Sequence, residues 1–227
     1  MPTPFARLPL LITLFFALLT FALNAQDDDD KEAFFKAYVH AGVNVAQIDG
    51  DGPHGFRFFG PRAGIGTYFF FHKRLLSLGL EMNYAQRGSR GRDYVFKGIE
   101  NALDFTQTTN YVETPILFRI HDKRKAHFQL GLTPAFLISD NIRYRWLFPN
   151  DPPLPACLTS EFERFDLSVL GGLFIHVTPQ IGIGGSFNYS LRSIRPSCGR
   201  PDTVVKGQYH RIVSVSAFYS FNVSKSP

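Results

Sequence analysis

The stretch "NYVETPILFRI", residues 110–120, places two charges in an otherwise apolar run. Glu113 and Arg119 are six residues apart, and an even spacing puts both side chains on one face of a β-strand. The opposite face carries Val112, Thr114, Ile116, Phe118 and Ile120. The stretch therefore predicts a strand that lies between an apolar medium and a polar interior.

Eight alternating segments of this kind follow one another behind the N-terminal region. They span about residues 36–47, 62–71, 75–87, 107–121, 126–138, 163–177, 180–193 and 207–223. Most are longer than the roughly 9 to 11 residues with which a tilted strand crosses a membrane. Pro115 and Pro134 lie inside two of the segments, where a proline removes a ladder hydrogen bond, so we expect a local bulge at each.

Short and long connections alternate between these segments. The short ones contain "HKR" at 72–74, "DKRK" at 122–125 and "TP" at 178–179, and the long ones span 48–61, 88–106, 139–162 and 194–206. This alternation is typical of outer-membrane barrels with short periplasmic turns and long outer loops. We therefore predict an all-β fold, an eight-stranded, closed, antiparallel transmembrane β-barrel.

The N-terminus has the features of an export signal. Arg7 precedes the apolar run "LPLLITLFFALLTFAL", and small Ala25 follows at a position suited to cleavage. An uncleaved anchor is the alternative, although the run is shorter than the roughly 20 residues of a spanning helix. We expect a signal peptide over 1–25, an acidic periplasmic leader over 26–35, the barrel over 36–223 and a C-terminal tail over 224–227.

The alternation along the segments predicts that seven charged side chains, Glu113 and Arg119 among them, point to the inner face. They are Glu81, Glu113, Arg119, Asp166, Arg62, Arg87 and Arg192. The interior of an eight-stranded barrel is just wide enough to be filled by side chains, and a charge buried there alone is costly. We therefore expect a lumenal network of salt bridges. Inward charges also argue against a soluble lipocalin-like barrel with an apolar interior.

Four segments resemble a known family of outer-membrane β-barrels from Bacteroidota-type, Gram-negative bacteria. The family includes PorT, an accessory of the type IX secretion pathway. The segments are "AGVNVAQIDGDG", "PRAGIGTYFFF", "LSLGLEMNYAQRGSR" and "NYVETPILFRI", and the resemblance extends over essentially the whole chain behind the signal. It implies an integral outer-membrane location and a lumenal role for Glu81 and Glu113. It says little about function, because most members of such families have no assigned activity.

The inward polar residues leave two chemical alternatives open. Glu81 and Glu113 could act as an acid/base pair in sugar hydrolysis, but a packed lumen offers no substrate cleft. His40, His127 and His176 also point inward and could bind a metal together with Asp166 if they converge. We expect structural pairing in place of catalysis, no metal and no cofactor.

A barrel enzyme that modifies lipid A would need a Ser–His pair, or an equivalent, near the outer leaflet. Ser89 and Ser193 lie at outer strand ends, whereas His40, His127 and His176 lie toward the periplasm. We therefore expect no enzyme. The predicted function is binding or scaffolding, or an accessory role in secretion or envelope assembly, and the lipid A-modifying enzyme is the alternative.

Basic and aromatic residues alternate in two of the outer connections. They are Arg92, Tyr94, Phe96, Lys97, Arg143, Arg145 and Trp146. They could contact lipopolysaccharide phosphates or a protein partner, or they could form the upper barrel wall and its aromatic girdle. The basic residues of the chain are otherwise scattered, so we expect no nucleic acid partner. Because the barrel lies in the outer membrane, we expect outer-membrane lipid and lipopolysaccharide as partners.

The only two cysteines, Cys157 and Cys198, both lie in predicted outer connections. An exported chain folds in an oxidising compartment, where an even number of cysteines is ordinarily paired. We expect a Cys157–Cys198 disulfide at the outer end of the barrel, with two free loop thiols as the alternative.

Overall fold

The computed structural model describes residues 35–52, 55–71, 75–93, 103–122, 125–146, 154, 156–196 and 207–221. The expected signal peptide, nearly all of the expected acidic leader, and the C-terminal tail lie outside these residues. Within them, no helix is both long enough and apolar enough to span a membrane.

Ten strands and one short helix make up the described chain. The strands are β1 (Phe35–Asp49), β2 (Phe58–Phe71), β3 (Leu76–Asp93), β4 (Leu103–Glu113), β5 (Ile116–Asp122), β6 (Ala126–Trp146), β7 (Phe165–His176), β8 (Ile181–Ser190), β9 (Arg195–Pro196) and β10 (Gly207–Ser220). The helix spans Ala156–Thr159.

The strands form one closed antiparallel ring. β4 and β5 both lie between β3 and β6 and together make a single crossing, while β9 is a two-residue addition to β10. The ring closes where β1 pairs with β10, so that Ala41 lies opposite Ala63 on one side and Ala217 on the other. The predicted eight-stranded barrel is therefore confirmed.

Alternation along the strands separates an outer apolar face from an inner polar face. In β10, Val213, Val215 and Tyr219 are exposed, whereas Ser214 and Ser216 are buried. Apolar side chains on the outside are stable because they contact lipid, and polar side chains inside satisfy one another. The protein thus places its polar residues where a soluble protein places its apolar core.

Several strands continue further at the outer end than the sequence predicts. β3 ends at Asp93 instead of about residue 87, and β6 ends at Trp146 instead of about residue 138. Beyond the apolar belt, outward positions carry charged residues such as Arg90 and Arg143, so the apolar alternation stops although the ladder of hydrogen bonds continues. The barrel wall therefore extends above the membrane.

Neither of the two expected proline bulges occurs, because the register on both sides of Pro115 is unchanged and Pro115 only interrupts the strand. The chain is interrupted between β4 and β5 at Thr114 and Pro115, yet the Pro115 carbonyl still accepts a hydrogen bond from the Glu81 amide at 3.0 Å. At Pro134 the prediction is wrong, because the β6–β7 register passes through this residue without a shift. Pro134 contributes its carbonyl, which accepts from the Thr114 amide at 2.9 Å.

Candidate functional site

One half of the lumenal network is built around Arg87 of β3. Its Nε donates to Oε1 of Glu113 at 2.9 Å, and its Nη1 donates to Oδ2 of Asp166 at 2.7 Å. All three side chains are almost completely buried. Ser190 donates a further hydrogen bond to Asp166 at 2.9 Å. A guanidinium between two carboxylates meets the requirement that buried charges be paired and hydrogen-bonded.

The other half of the network is built around Glu81, which also lies on β3. Its carboxylate accepts hydrogen bonds from Arg119 Nη2 at 3.0 Å and from Asn83 Nδ2 at 2.9 Å, and the Tyr38 hydroxyl donates a third. Nε2 of His40 lies 2.8 Å from Oδ1 of Asn83. Glu81 is 5% exposed, so these contacts replace its hydration almost entirely.

Arg62 of β2 connects the two halves. Its Nη2 lies 3.6 Å from Oε2 of Glu81 and 3.8 Å from Oε2 of Glu113. Within the described residues, the linked network contains the guanidinium groups of Arg62, Arg87 and Arg119 and the carboxylates of Glu81, Glu113 and Asp166. Three positive and three negative charges balance, which lowers the cost of burying each of them.

The structure places Arg192 differently from the expectation. β8 ends at Ser190, so the strand parity that would direct residue 192 inward no longer applies. The Arg192 side chain is 58% exposed and lies 3.9 Å from Glu163 at the surface. Arg192 therefore does not belong to the lumenal network.

Arg195 lies in the barrel interior, a position that the alternation of the sequence does not predict. It is 2% exposed, donates to Oε1 of Gln107 at 3.0 Å and to the Leu158 carbonyl, and lies 4.3 Å above the ring of Phe162. Its segment has the proline and glycine content of a loop, so alternation along a strand gave no signal for it. Arg195 links the outer end of the barrel to the short helix above it.

A cavity of about 30 Å³ remains in the lumen beside Glu81 and Arg119. Tyr38, His40 and Arg62 are among the side chains that bound it. A space of this size holds roughly one or two water molecules and no sugar ring. The carboxylates of Glu81 and Glu113 are thus engaged by arginines beside a cavity too small for the hydrolytic alternative.

Four exposed arginines form a band on the outer wall above the membrane, which we call the arginine band: Arg90, Arg92, Arg143 and Arg145. Arg90 and Arg143 flank Thr106 across β4, and Arg92 and Arg145 flank Asp104 in the next row. Asp104 lies 3.6 Å from Arg92 and 3.8 Å from Arg145. One carboxylate among four guanidinium groups leaves this part of the wall strongly positive.

The predicted contact residues are thus divided between the wall and the undescribed part of the chain. Arg92, Arg143 and Arg145 lie in strands and not in loops, and Trp146 is the last residue of β6 and only 8% exposed. Tyr94, Phe96 and Lys97 lie outside the described residues.

Cys198 and the side chain of Cys157 lie outside the described residues as well, so the disulfide stays a prediction.

Two of the three histidines that sequence parity directed to the lumen meet there, and a third that was not predicted joins them. His127 and His176 meet at the periplasmic end of the lumen, and His121 joins them there. His40 is instead bound to Asn83, and Asp166 to Arg87. His121 has the same parity as Arg119, which is the signal that would have identified it.

Comparison with known proteins places the chain among outer-membrane barrels. Residues 24–195 match the family described as outer membrane protein beta-barrel domain. No curated protein matches the chain.

Three solved structures are similar over most of their lengths. A major outer membrane protein from Thermus thermophilus is 12% identical, with a TM-score of 0.47 over 82% of this chain and 99% of that chain. Ail, the attachment invasion locus protein of Yersinia pestis, solved in complex with the heparin analogue sucrose octasulfate, is 11% identical, with a TM-score of 0.44 over 82% and 99%. Neisserial surface protein A is 13% identical, with a TM-score of 0.42 over 85% and 100%.

Proposed function

The chain belongs to the outer membrane protein beta-barrel domain family, and from this we propose that it is a non-enzymatic binding protein that acts through its outer wall. It is an integral protein of the outer membrane. The observation that carries the proposal is the arginine band, Arg90, Arg92, Arg143 and Arg145, which projects from β3 and β6 above the membrane. Its ligand in this proposal is the phosphorylated sugar region of lipopolysaccharide.

The order of side chains up the outer wall supports this ligand. The apolar belt ends near Tyr84, whose hydroxyl donates to Oδ1 of Asn110 at 2.9 Å. Gln86 also donates to this oxygen at 3.0 Å, and Asn110 donates to Ser139 at 2.9 Å. Acyl chains, sugar hydroxyls and phosphates would therefore meet apolar, amide or hydroxyl, and guanidinium groups in turn. Guanidinium groups are well suited to phosphate because they donate two parallel hydrogen bonds.

The test compares lipopolysaccharide binding by the wild type and by the quadruple variant R90Q/R92Q/R143Q/R145Q, both refolded in nanodiscs. We expect the quadruple variant to bind at least roughly tenfold more weakly, because each lost charge-assisted hydrogen bond contributes about 1 kcal/mol or more. R57Q/R164Q/R192Q removes exposed arginines elsewhere and is the matched control. Equal affinity of the quadruple variant and this control, or undiminished binding to dephosphorylated lipopolysaccharide, would overturn the proposal.

The resemblance to the PorT-containing family supports a second form of the same function. A wall that binds lipopolysaccharide could also present the barrel to a partner in secretion or envelope assembly. Photo-crosslinking from position 92 in intact cells tests this form. A discrete protein adduct that is lost when R90Q/R143Q/R145Q is combined with the crosslinker at position 92 would support it, and adducts with lipid alone would contradict it.

The lipid A-modifying enzyme receives no support from the sites of its candidate serines. Ser193 donates to the Arg195 carbonyl at 2.7 Å, and Ser89 is 3% exposed. In the described part of the chain, neither serine pairs with a histidine side chain. Mass spectrometry of lipid A from a deletion strain is the decisive comparison, and an altered acylation pattern that the wild-type gene restores would favour the enzyme.

A further inference from the structure

Three imidazoles converge at the periplasmic end of the lumen. They belong to His121 on β5, His127 on β6 and His176 on β7, and one ring nitrogen from each lies within 4.8 Å of the other two. Nδ1 of His127 is 3.2 Å from Nε2 of His176. Two imidazole nitrogens at this separation are close to the spacing of about 3.4 Å that tetrahedral ligands of Zn²⁺ adopt.

The strand pairing explains why the three rings meet. His121 lies directly opposite His127 across the β5–β6 hairpin, and both side chains point inward. His127 pairs with Phe174 of β7, two residues before His176, so His176 projects from the same face of the next strand. Three neighbouring strands thus each contribute one imidazole at the same height of the barrel.

Neighbouring side chains hold each ring in place. Ser77 Oγ lies 2.8 Å from Nε2 of His121. The ring of His127 stacks on Phe174 with centroids 5.2 Å apart, and Phe218 meets the ring of His176 edge-on at 5.1 Å. Such support reduces the rotamer freedom that a metal would otherwise have to remove, and an orienting hydrogen bond on an imidazole is typical of metal ligands.

We propose that His121, His127 and His176 form a binding site for a divalent transition-metal ion, with Zn²⁺ as the reference ion. Neutral imidazole is a preferred ligand of zinc and copper, and three histidines with a fourth position open to solvent make a complete ligand set. The three nitrogens lie within 4.8 Å of one another, so side-chain movements of about an ångström would bring them to the ligand spacing of about 3.4 Å. His176 is only partly buried, which gives the ion a path from the periplasmic end.

Two cations act on this site and limit its affinity. Arg119 and Lys36 both interact electrostatically with these imidazoles. The charge of Arg119 is compensated by Glu81 at 3.0 Å, and Lys36 lies on β1. Repulsion between Lys36 and a dication opposes binding, so the substitution K36Q is expected to lower the Kd by roughly twofold or more.

The experiment measures Zn²⁺ uptake by the full barrel, refolded without a histidine tag and stripped with a chelator. Calorimetry should show one ion per chain for the wild type. H127Q and H176Q should each weaken binding at least roughly tenfold, because each removes a ligand. The matched control is H210Q, which removes a buried histidine of β10 at the outer end of the lumen and should bind like the wild type.

Two further measurements separate a loss of metal binding from a failure to fold. Mobility on unboiled gels verifies that each variant is a folded barrel, and Cu²⁺ bound to the wild type should show electron paramagnetic hyperfine coupling to three nitrogens. Folded H127Q or H176Q with wild-type affinity would overturn the proposal, as would a wild type that takes up no stoichiometric ion. The outcome is independent of lipopolysaccharide binding at the arginine band.

Discussion

Glu113 shows what a single buried charge contributes to this barrel. Its carboxylate is 1% exposed, and it accepts hydrogen bonds from both Nε and Nη2 of Arg87. Arg62 approaches its other oxygen to 3.8 Å. Removing the carboxylate would leave Arg87 with Asp166 alone and would leave Arg62 with one anion fewer.

The substitution E113Q is therefore expected to lower the free energy of unfolding by about 3 to 5 kcal/mol, because it leaves a buried cation incompletely paired. The control D104N breaks a partly exposed ion pair on the wall and should cost less than about 1 kcal/mol. Urea unfolding in lipid vesicles, followed by the fluorescence of the single Trp146, measures both. An E113Q midpoint equal to that of D104N would contradict the role of the network.

Parity along the strands predicted the inward direction of most of the network residues, but not their partners. The partner of Glu81 is Arg119 and that of Arg87 is Glu113 because of the register between β3 and its neighbours. Register is set by long-range pairing and by turn geometry, and it cannot be derived from the alternation of a single sequence. Arg192 was misplaced for a related reason, since a strand end decides whether parity still applies.

At the scale of elements, aromatic residues and glycines occupy facing positions in adjacent strands. Tyr38 of β1 lies opposite Gly66 of β2, and Phe218 of β10 lies opposite Gly182 of β8. A Cβ atom at Gly66 would overlap the Tyr38 ring, and one at Gly182 would overlap the Phe218 ring. These rings fill the lumen only because the facing strand leaves space for them.

The substitution G66A should accordingly lower the free energy of unfolding by about 1 to 3 kcal/mol through overpacking. G171A is the matched control, because its added methyl group would make an ordinary contact of 3.5 Å with Leu130. That control should change stability by no more than about 0.5 kcal/mol. The same urea titration compares the two, and a neutral G66A would show that the Tyr38 ring can move aside.

A register irregularity in β6 explains why the arginine band could not be located from sequence. The β4–β6 register shifts between Asn110 and Tyr111, where β6 contains one extra residue at Ile138. The shift reverses the parity of the strand, so Arg143 and Arg145 face outward instead of inward. No proline or glycine marks this position in the sequence. The predicted strand ends at residue 138, and Arg143 and Arg145 were therefore assigned to the connection over 139–162.

At the scale of the whole molecule, the barrel has a filled interior, and the proposed binding surface is its outer wall. The charges of the linked lumenal network balance within the described residues, and the cavity beside this network is about 30 Å³. An eight-stranded ring has little more room than its own side chains need. A lumen filled in this way is not suited to the passage of solutes.

Ion conductance in a planar lipid bilayer distinguishes a filled lumen from an open pore. The purified wild-type barrel is added at increasing concentration, and an open porin in the same membrane verifies that channels would be seen. We expect no stable conductance steps, because the salt-bridged side chains of Glu81, Glu113 and Arg119 obstruct the lumen. Reproducible, long-lived steps in the nanosiemens range would show instead that the lumen is an open pore.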